Sequence, residues 1–208
     1  MQNELVEIFT AKAKAVSAEV RHIKSMQEAF DYTVNICVDK EACQFLMAGC
    51  ELPVSDEAQQ LCEIKPGEKV IAAPALDDKA LSGLASQAEK QGITTIISEL
   101  RRYLGGIDIG LAVADLGLAE TGTLVLKSAS EDLRLATMIS EINVVVLPLS
   151  RMRGGSYDAE SELLEMMQDG ANYLSFITGA SRTADIERVL ALGVHGPLEL
   201  HILLLEDA

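Results

Sequence analysis

The side chains best suited to chemistry lie in the last third of the chain, after an apolar run that ends at Thr178. The next residues combine a glycine with hydroxyl, guanidinium and carboxylate groups, namely Gly179, Ser181, Arg182, Thr183 and Asp185. If a helix begins here, its unpaired backbone N–H groups attract an anion, and Arg182 adds a bidentate contact to a carboxylate or phosphate. The pattern predicts a site for a small acidic ligand. The alternative is an ordinary helix start that is capped by Ser181 or Thr183.

A second candidate group lies in the glycine- and proline-containing turn 193–197. An imidazole held in such a turn can donate, accept or shuttle a proton near neutral pH. We therefore predict a catalytic role for His195 and a binding role for Gly196; the alternative for His195 is a local hydrogen bond. His201, inside an apolar strand, is expected to be structural, and His22 is expected on the surface.

A third group combines Asp115, Glu120, Thr121 and Thr123 between two apolar stretches. A carboxylate at such a bend can act as a base or a nucleophile, and neighbouring hydroxyls can orient a substrate. We predict Glu120 as catalytic and the two threonines as substrate-binding. A solvated acidic bend that ends two strands is the alternative, and the composition of the segment does not separate the two.

The charge of the chain restricts its partners. There are 32 acidic and 17 basic side chains, which give a net charge of −15. Such a chain repels nucleic acid, since binding requires a basic surface. The apolar runs are too short for a membrane span, and the first residues lack a secretion core. We expect a cytoplasmic globular protein.

The cysteines and glycines show no cofactor motif. The four cysteines, at positions 37, 43, 50 and 62, lack the CxxC spacing of zinc and iron–sulfur sites. We expect them to be small buried apolar residues in a reducing compartment. Neither GxGxxG nor GxxxxGK[ST] occurs in the sequence. We therefore predict no metal and no cofactor in this chain.

The elements that position these groups follow from hydrophobic patterning. From about residue 68, short apolar runs alternate with helical segments, which is typical of a mainly parallel sheet covered by helices. Residues 109–114 and 123–126 are predicted as neighbouring strands joined by a tight connection. The predicted strands are 69–74, 93–97, 109–114, 123–126, 143–147, 173–178 and 199–205, and the predicted helices are 75–92, 131–140, 158–168 and 182–192.

The first part of the chain has a different amino-acid composition. It has no glycine or proline before Gly49 and is rich in residues that favour helices. We predict a helical N-terminal extension over 1–66, packed on an α/β core over 67–208. Exposed apolar surface on this extension is compatible with a homodimer or with a partner protein.

Three segments, 119–126, 181–187 and 193–207, resemble the LUD (lactate utilisation) domain family, of the lactate utilisation protein C type. The similarity runs from about Val70 to the C-terminus. The resemblance implies the fold shared by sugar-phosphate isomerases and CoA transferases, with a parallel-rich sheet and helices on both faces. It also implies a role beside two iron–sulfur proteins that together oxidise L-lactate to pyruvate. The iron–sulfur clusters are then expected on those partners.

The chain departs from the family pattern at two positions. Ala180 stands where family members commonly have proline, which loosens the loop. Asn143 stands where they tend to have histidine, and an amide cannot shuttle a proton at neutral pH.

Three functions therefore stay open. The first is a component of a lactate-oxidising iron–sulfur complex. The second is a stand-alone enzyme of sugar-phosphate isomerase or CoA-transferase type that uses Glu120. The third is a module that binds a carboxylate or phosphate without catalysis.

Overall fold

A computed structural model describes residues 2–41, 68–103, 106–168, 173–183, 191–193 and 196–207. Its centre is a six-stranded parallel sheet with the strand order β1-β12-β7-β4-β2-β3. A four-stranded sheet, β8-β5-β6-β9, and a two-stranded pair, β10-β11, complete the strands of the described part. In chain order the strands are β1 Ala18–Ile23, β2 Lys69–Ala72, β3 Ile93–Ile96, β4 Ile107–Val113, β5 Leu116–Leu118, β6 Thr123–Lys127, β7 Ser140–Pro148, β8 Met152–Arg153, β9 Leu174–Ile177, β10 Arg182–Thr183, β11 Ala191–Leu192 and β12 Glu199–Leu205.

Five α-helices lie in the described part of the chain, and three of them begin at a side-chain cap. Ser25, Asp77 and Ser130 each accept a hydrogen bond from a backbone N–H of the first turn that would otherwise lack a partner. Two short 3-10 helices follow β3 and β7, at Leu100–Tyr103 and Leu149–Arg151. The α-helices are α1 Gln2–Ala15, α2 Met26–Asp39, α3 Asp78–Lys90, α4 Glu131–Ile139 and α5 Glu160–Met166.

The central strands are buried on both faces, as parallel strands usually are. On β7, Val144 and Val146 pack in the cluster that contains α2 and α3. Val145 and Leu147 pack on the opposite side, in the cluster that contains α1 and β6. The predicted parallel-rich α/β fold with helices on both faces is confirmed.

The N-terminal segment differs from the prediction at one element. Two helices form as expected, but Ala18–Ile23 is a strand at the edge of the main sheet, paired in parallel with β12. Pairing with the very apolar β12 overrides the helical propensity of the segment. The division at residues 66 and 67 stays a prediction, and residues 42–67 lie outside the described part.

The predicted pairing of 109–114 with 123–126 is wrong. β4 belongs to the main sheet, whereas β6 belongs to the small sheet and pairs antiparallel with β5. The three-residue strand β5 is too short to show in the hydrophobic pattern. The tight connection therefore joins β5 to β6.

The predicted helix 182–192 is also wrong at both of its described ends. Arg182–Thr183 forms β10, which pairs antiparallel with β11. The backbone N–H of Gly193 donates to the carbonyl oxygen of Ser181, and the N–H of Ser181 donates to that of Pro197. Both backbone groups of Ser181 are therefore bonded to residues more than ten positions later in the chain, and no helix starts at Ser181. Residues 184–190 lie outside the described part.

Candidate functional site

A cavity of about 360 Å³ opens beside β9, and we call it the β9 cavity. It lies over the amino-terminal halves of β7 and β12, where Asn143 and Leu200 are partners in the sheet register. One wall is β9, and the end of α4 and the loop 179–181 close two other sides. The lining residues are Thr137, Met138, Asn143, Tyr173, Leu174, Ser175, Phe176, Ile177, Gly179, Ala180, Ser181, Pro197 and Leu200.

The polar lining of the β9 cavity contains one unsatisfied group. Asn143 is only 1% exposed, and its Oδ1 has no hydrogen-bond partner. Buried amide oxygens without a partner are rare, because each one loses its hydration without compensation. This oxygen has less than 1 Å² of accessible surface, so it is an unsatisfied acceptor buried beside the cavity.

Two other polar side chains of the lining already have partners. Thr137 Oγ1 donates to the carbonyl oxygens of Leu133 and Arg134, at 3.1 and 3.0 Å. Ser175 Oγ lies 2.6 Å from Ser128 Oγ. Sequence patterning missed both residues, although a serine inside the apolar run 173–178 was a visible signal.

The rim of the β9 cavity is apolar and open to solvent. Met138, Tyr173 and Phe176 line the cavity and are 57%, 58% and 52% exposed. The inner part is lined by Leu200, which is buried. The cavity thus combines an apolar rim with a few polar atoms, which is the usual composition of a small-molecule site.

Two predicted binding residues lie on this cavity. Gly179 has a φ of +77°, and a Cβ there would overlap the carbonyl oxygen of Val16, so only glycine fits. Ser181 also lines the cavity. Gly196 lies against Ser181: a Cβ on this glycine would be 3.3 Å from Ser181 Oγ.

The other residues predicted around the helix start are less clearly placed. Arg182 is exposed on β10 and does not line the cavity, although it directly follows Ser181. Thr183, its neighbour in β10, is partly buried. Asp185 and His195 lie outside the described residues. The binding and catalytic roles of all four stay predictions.

The Glu120 group forms at one end of the small sheet, outside the cavity lining. Glu120 Oε1 accepts a hydrogen bond of 3.1 Å from the backbone N–H of Ser156. Thr121 and Thr123 are linked through their hydroxyls at 2.7 Å, and Thr123 is linked to Thr178 at the same distance. None of these three threonines lines the β9 cavity, although Thr178 stands in the chain between the lining residues Ile177 and Gly179.

Asp115 is a structural residue of the turn between β4 and β5. Its Oδ2 accepts a hydrogen bond of 2.7 Å from the backbone N–H of Lys127, so the carboxylate joins the start of β5 to the end of β6.

A buried charge cluster at the amino end of the main sheet was not predicted. Lys40 Nζ lies 2.8 Å from Asp108 Oδ1 and 3.1 Å from Glu141 Oε2. Burial disfavours the lysine charge, but the hydrogen bonds and charges of Asp108 and Glu141 outweigh it and raise the pKa of Lys40. Asp108 Oδ2 also accepts from the N–H of Val70, at 2.7 Å. The cluster joins the end of α2 to three strands, β2, β4 and β7.

His201 has the structural role that its strand position predicts. Its Nδ1 lies 2.7 Å from the hydroxyl of Tyr32, and its Nε2 lies 2.7 Å from Glu199 Oε2. Burial raises the pKa of Tyr32, against the lowering influence of Arg21, which stacks over its ring. His22 is exposed, as expected.

The described residues hold no cluster of three or more His, Cys, Asp or Glu side chains able to bind a metal ion. None of the helices in the described ranges is both long and apolar enough to cross a membrane. Of the four cysteines, Cys37 is buried in the core as predicted, and the other three lie outside those ranges.

Comparison with known families identifies the fold family. The family model described as the LUD domain matches residues 6–205. The chain belongs to the LUD domain family. The match begins inside α1 and ends at the last residue of β12, so it includes β1 as well as the predicted core.

Curated members of the LUD domain family are similar to this chain over different lengths. Lactate utilization protein C of Geobacillus thermodenitrificans is 33% identical over 103 residues, which are 48% of this chain and 43% of that protein. The Uncharacterized protein YkgG of Escherichia coli is 29% identical over 202 residues, covering 96% of this chain and 72% of that protein. The matched part thus spans less than half the length of the relative named for lactate utilisation.

A solved structure supports the same fold. The crystal structure of a DUF162 family protein from Deinococcus radiodurans aligns with a TM-score of 0.58 and 15% identity, and the alignment covers 99% of this chain and 98% of that one. At this identity the similarity concerns the fold alone.

Proposed function

We propose that this LUD domain protein is a cytoplasmic component of a lactate-utilisation system and acts with iron–sulfur partner proteins in the oxidation of L-lactate to pyruvate. The names of its relatives support lactate utilisation. The iron–sulfur clusters belong to the partners in this proposal, since the cysteine spacing in the sequence is unlike that of a cluster site.

The β9 cavity is the proposed binding site for a short carboxylic acid. Its volume of about 360 Å³ is at the lower end of the range for small-molecule sites. The cavity itself, with the hydroxyl groups of Ser175 and Ser181 in its lining, is the observation that carries this assignment. The carboxylate of the ligand faces the open rim, where Arg182 follows the lining residue Ser181 and supplies a positive charge.

A binding role fits the site better than stand-alone catalysis by Glu120. The carboxylate of this residue is engaged by the backbone of Ser156 and lies against Gly155. An isomerase or CoA transferase would need that carboxylate to reach a substrate. Glu120 also lies outside the lining of the β9 cavity, so the proposal gives it no part in binding the ligand there.

Isothermal titration calorimetry of the purified chain tests the ligand. L-lactate, pyruvate and inorganic phosphate are titrated into the wild type, into Arg182→Ala and into the control Arg102→Ala, which changes an exposed arginine outside the cavity lining. We expect a carboxylic acid to bind the wild type and the control about equally, and Arg182→Ala several-fold more weakly. Equal binding by all three proteins would remove Arg182 from the site, and no heat from any acid would remove the ligand assignment.

A genetic experiment tests the pathway. Deletion of the gene in a host without another lactate dehydrogenase should abolish growth on L-lactate, and the wild-type gene should restore it. Affinity purification of the tagged chain from lactate-grown cells should recover proteins that carry iron–sulfur clusters. Normal growth of the deletion strain on L-lactate would refute the proposed function.

A further inference from the structure

The small sheet has an inner face, toward the main sheet, and an outer face. On β6, Leu124 and Leu126 pack in the cluster that includes the main sheet, whereas Val125 packs in a separate cluster with α5. The register pairs Val125 with Phe176 of β9, and partners in antiparallel strands lie on the same face. Phe176 therefore lies on the outer face of the small sheet, which α5 covers in part.

The helix α5 runs lengthwise along the strands of this outer face. The loop before it is fixed at the turn between β5 and β6, where the backbone N–H of Ser156 donates to the carboxylate of Glu120. The chain returns at the other end of β6, where the carbonyl oxygen of Tyr173 accepts from the N–H of Ser128. Because β8 and β9 are the outer strands of the sheet, one side of α5 is directed toward β8 and the other toward β9.

The two sides of α5 differ in polarity. Leu163 packs against the sheet. Glu162 lies about 100° before it around the helix and reaches Arg153 of β8. Leu164 lies about 100° away in the opposite sense, which places it on the β9 side of the helix. Met167 follows Leu164 by three residues and so lies on the same side.

An exposed apolar strip therefore lies between α5 and β9. Leu164, Met167 and Phe176 are each more than half exposed, and we call the surface that they form the α5–β9 face. Phenylalanine and methionine are enriched in protein–protein interfaces, and exposed apolar patches mark sites of interaction. Leu164 and Met167 lie outside the lining of the β9 cavity, so this face extends beyond the rim of that cavity.

The charge around the α5–β9 face is negative. Residues 154–168 contain four acidic side chains and no basic one. Arg153 of β8 and Lys127 of β6, on the same face of the sheet, compensate at most two of these charges. Glu160 is exposed, lies one helical turn before Leu164, and has no ion pair within the described ranges.

This charge discriminates between possible occupants. A second copy of the chain would bring the same acidic segment and a net charge of −15, so the two copies repel each other. An anionic membrane surface is disfavoured for the same reason. A protein surface that carries lysine or arginine beside apolar side chains is complementary to this face in both charge and polarity.

We infer that the α5–β9 face is a docking surface for a segment of another protein that presents apolar side chains flanked by lysine or arginine. The inference goes beyond the proposed function, since it depends neither on lactate nor on a ligand in the β9 cavity. Ser175 and Ile177, on the inner face of β9, line that cavity. The docked partner and a ligand in the cavity would thus contact opposite faces of one strand.

The first test uses two defined peptides. One is an amphipathic helix of leucine and lysine, and the other has glutamate in place of every lysine. In calorimetry the lysine peptide should bind the wild type, and Leu164→Ser should bind it about tenfold more weakly, as expected for the loss of a central apolar contact. The control Ile97→Ser, at an exposed apolar residue after β3, should bind like the wild type. Equal binding by the two variants, tighter binding of the glutamate peptide, or no binding of the lysine peptide would overturn the inference.

A second test separates charge from apolar contact. Glu160→Lys should bind the lysine peptide several-fold more weakly than the wild type in about 0.1 M salt, and the difference should shrink in about 1 M salt, where charges are screened. The loss in Leu164→Ser should persist at both salt concentrations. The control Glu89→Lys, at an exposed carboxylate on α3, should bind like the wild type. An equal loss in Glu89→Lys would show attraction by the overall charge alone and would refute the site.

Photo-crosslinking in cells identifies the natural occupant. p-Benzoylphenylalanine replaces Leu164 in the full chain, or Ile97 as the control, and mass spectrometry locates the cross-linked segment. We expect a partner segment with more Lys and Arg than Asp and Glu, captured at the first position but not at the second. The purified partner should bind the wild type more tightly than Leu164→Ser. Crosslinks to a second copy of this chain, to lipid, to an acidic segment or to no protein would each overturn the inference.

Discussion

Removal of the Asp108 carboxylate should be among the most damaging single changes to this fold. The side chain is fully buried and bonds both to Lys40 Nζ, at 2.8 Å, and to the backbone N–H of Val70, at 2.7 Å. In Asp108→Ala the Val70 N–H loses its acceptor, whereas Lys40 keeps its contact of 3.1 Å with the carboxylate of Glu141. An unsatisfied buried N–H accounts for about 1–3 kcal/mol and a broken buried ion pair for about 3–5 kcal/mol. Because Glu141 still compensates Lys40, we expect a loss of about 3–4 kcal/mol in the free energy of unfolding.

Urea denaturation measures this loss against a matched exposed pair. Glu99 lies 3.1 Å from Arg102, and both side chains are more than 60% exposed. Glu99→Ala should therefore change the free energy of unfolding by less than about 1 kcal/mol. A double-mutant cycle of Asp108→Ala and Lys40→Met should give a coupling energy of about 1–3 kcal/mol. If Asp108→Ala is no more destabilising than Glu99→Ala, the cluster does not hold α2 to the sheet.

Three further outcomes test other parts of the structure. The pKa of Lys40 is raised in the fold, so the stabilisation that this residue contributes is fully present below the unfolded value of 10.5 and is lost as the pH rises through the folded value. The difference in free energy of unfolding between the wild type and Lys40→Met should therefore shrink in this pH range. A constant difference would contradict this reasoning. In Gly110→Ala the new Cβ overlaps the carbonyl oxygen of Ala136, and urea denaturation should show a loss of about 3 kcal/mol in the free energy of unfolding. In the control Gly83→Ala the new Cβ lies 3.4 Å from a side-chain atom of Phe30, so this change should be neutral or stabilising. Tyr32→Phe leaves His201 Nδ1 without its partner and should lower the free energy of unfolding by about 1 kcal/mol, while Tyr157→Phe, at a 90% exposed residue, should not.

The parts of the fold that follow from local pattern were predictable from the sequence. The segment from β2 through α3 to β3 was predicted to within a few residues, because its apolar runs and its helix have distinct periods. β1 was missed because helix-favouring residues became a strand only through pairing with β12. β10 and β11 were missed for the same reason, because the pairing between these two short strands is a non-local contact that local propensity does not predict.

The candidate site was predictable only in part. Gly179 and Ser181 line the β9 cavity, and their binding role stays a prediction, because the helix expected to create the site does not begin there. The sequence drew attention to Asn143 only as a departure from a family pattern. Its lack of a partner depends on the packing of β7 against β9 and α4, which no single segment encodes.

The two sides of the β9 cavity differ in how they are held. Asn143 stands on β7, which has a neighbouring strand on each side, whereas β9 is the outermost strand of the small sheet and is joined to β6 alone among the described strands. The floor is therefore fixed by the centre of the protein, while the opposite wall can shift without breaking the main sheet. Acids with longer tails should be accommodated by displacement of β9, with the contact at the polar end unchanged. Affinity along a series of chain lengths should then vary smoothly, instead of falling sharply beyond one size.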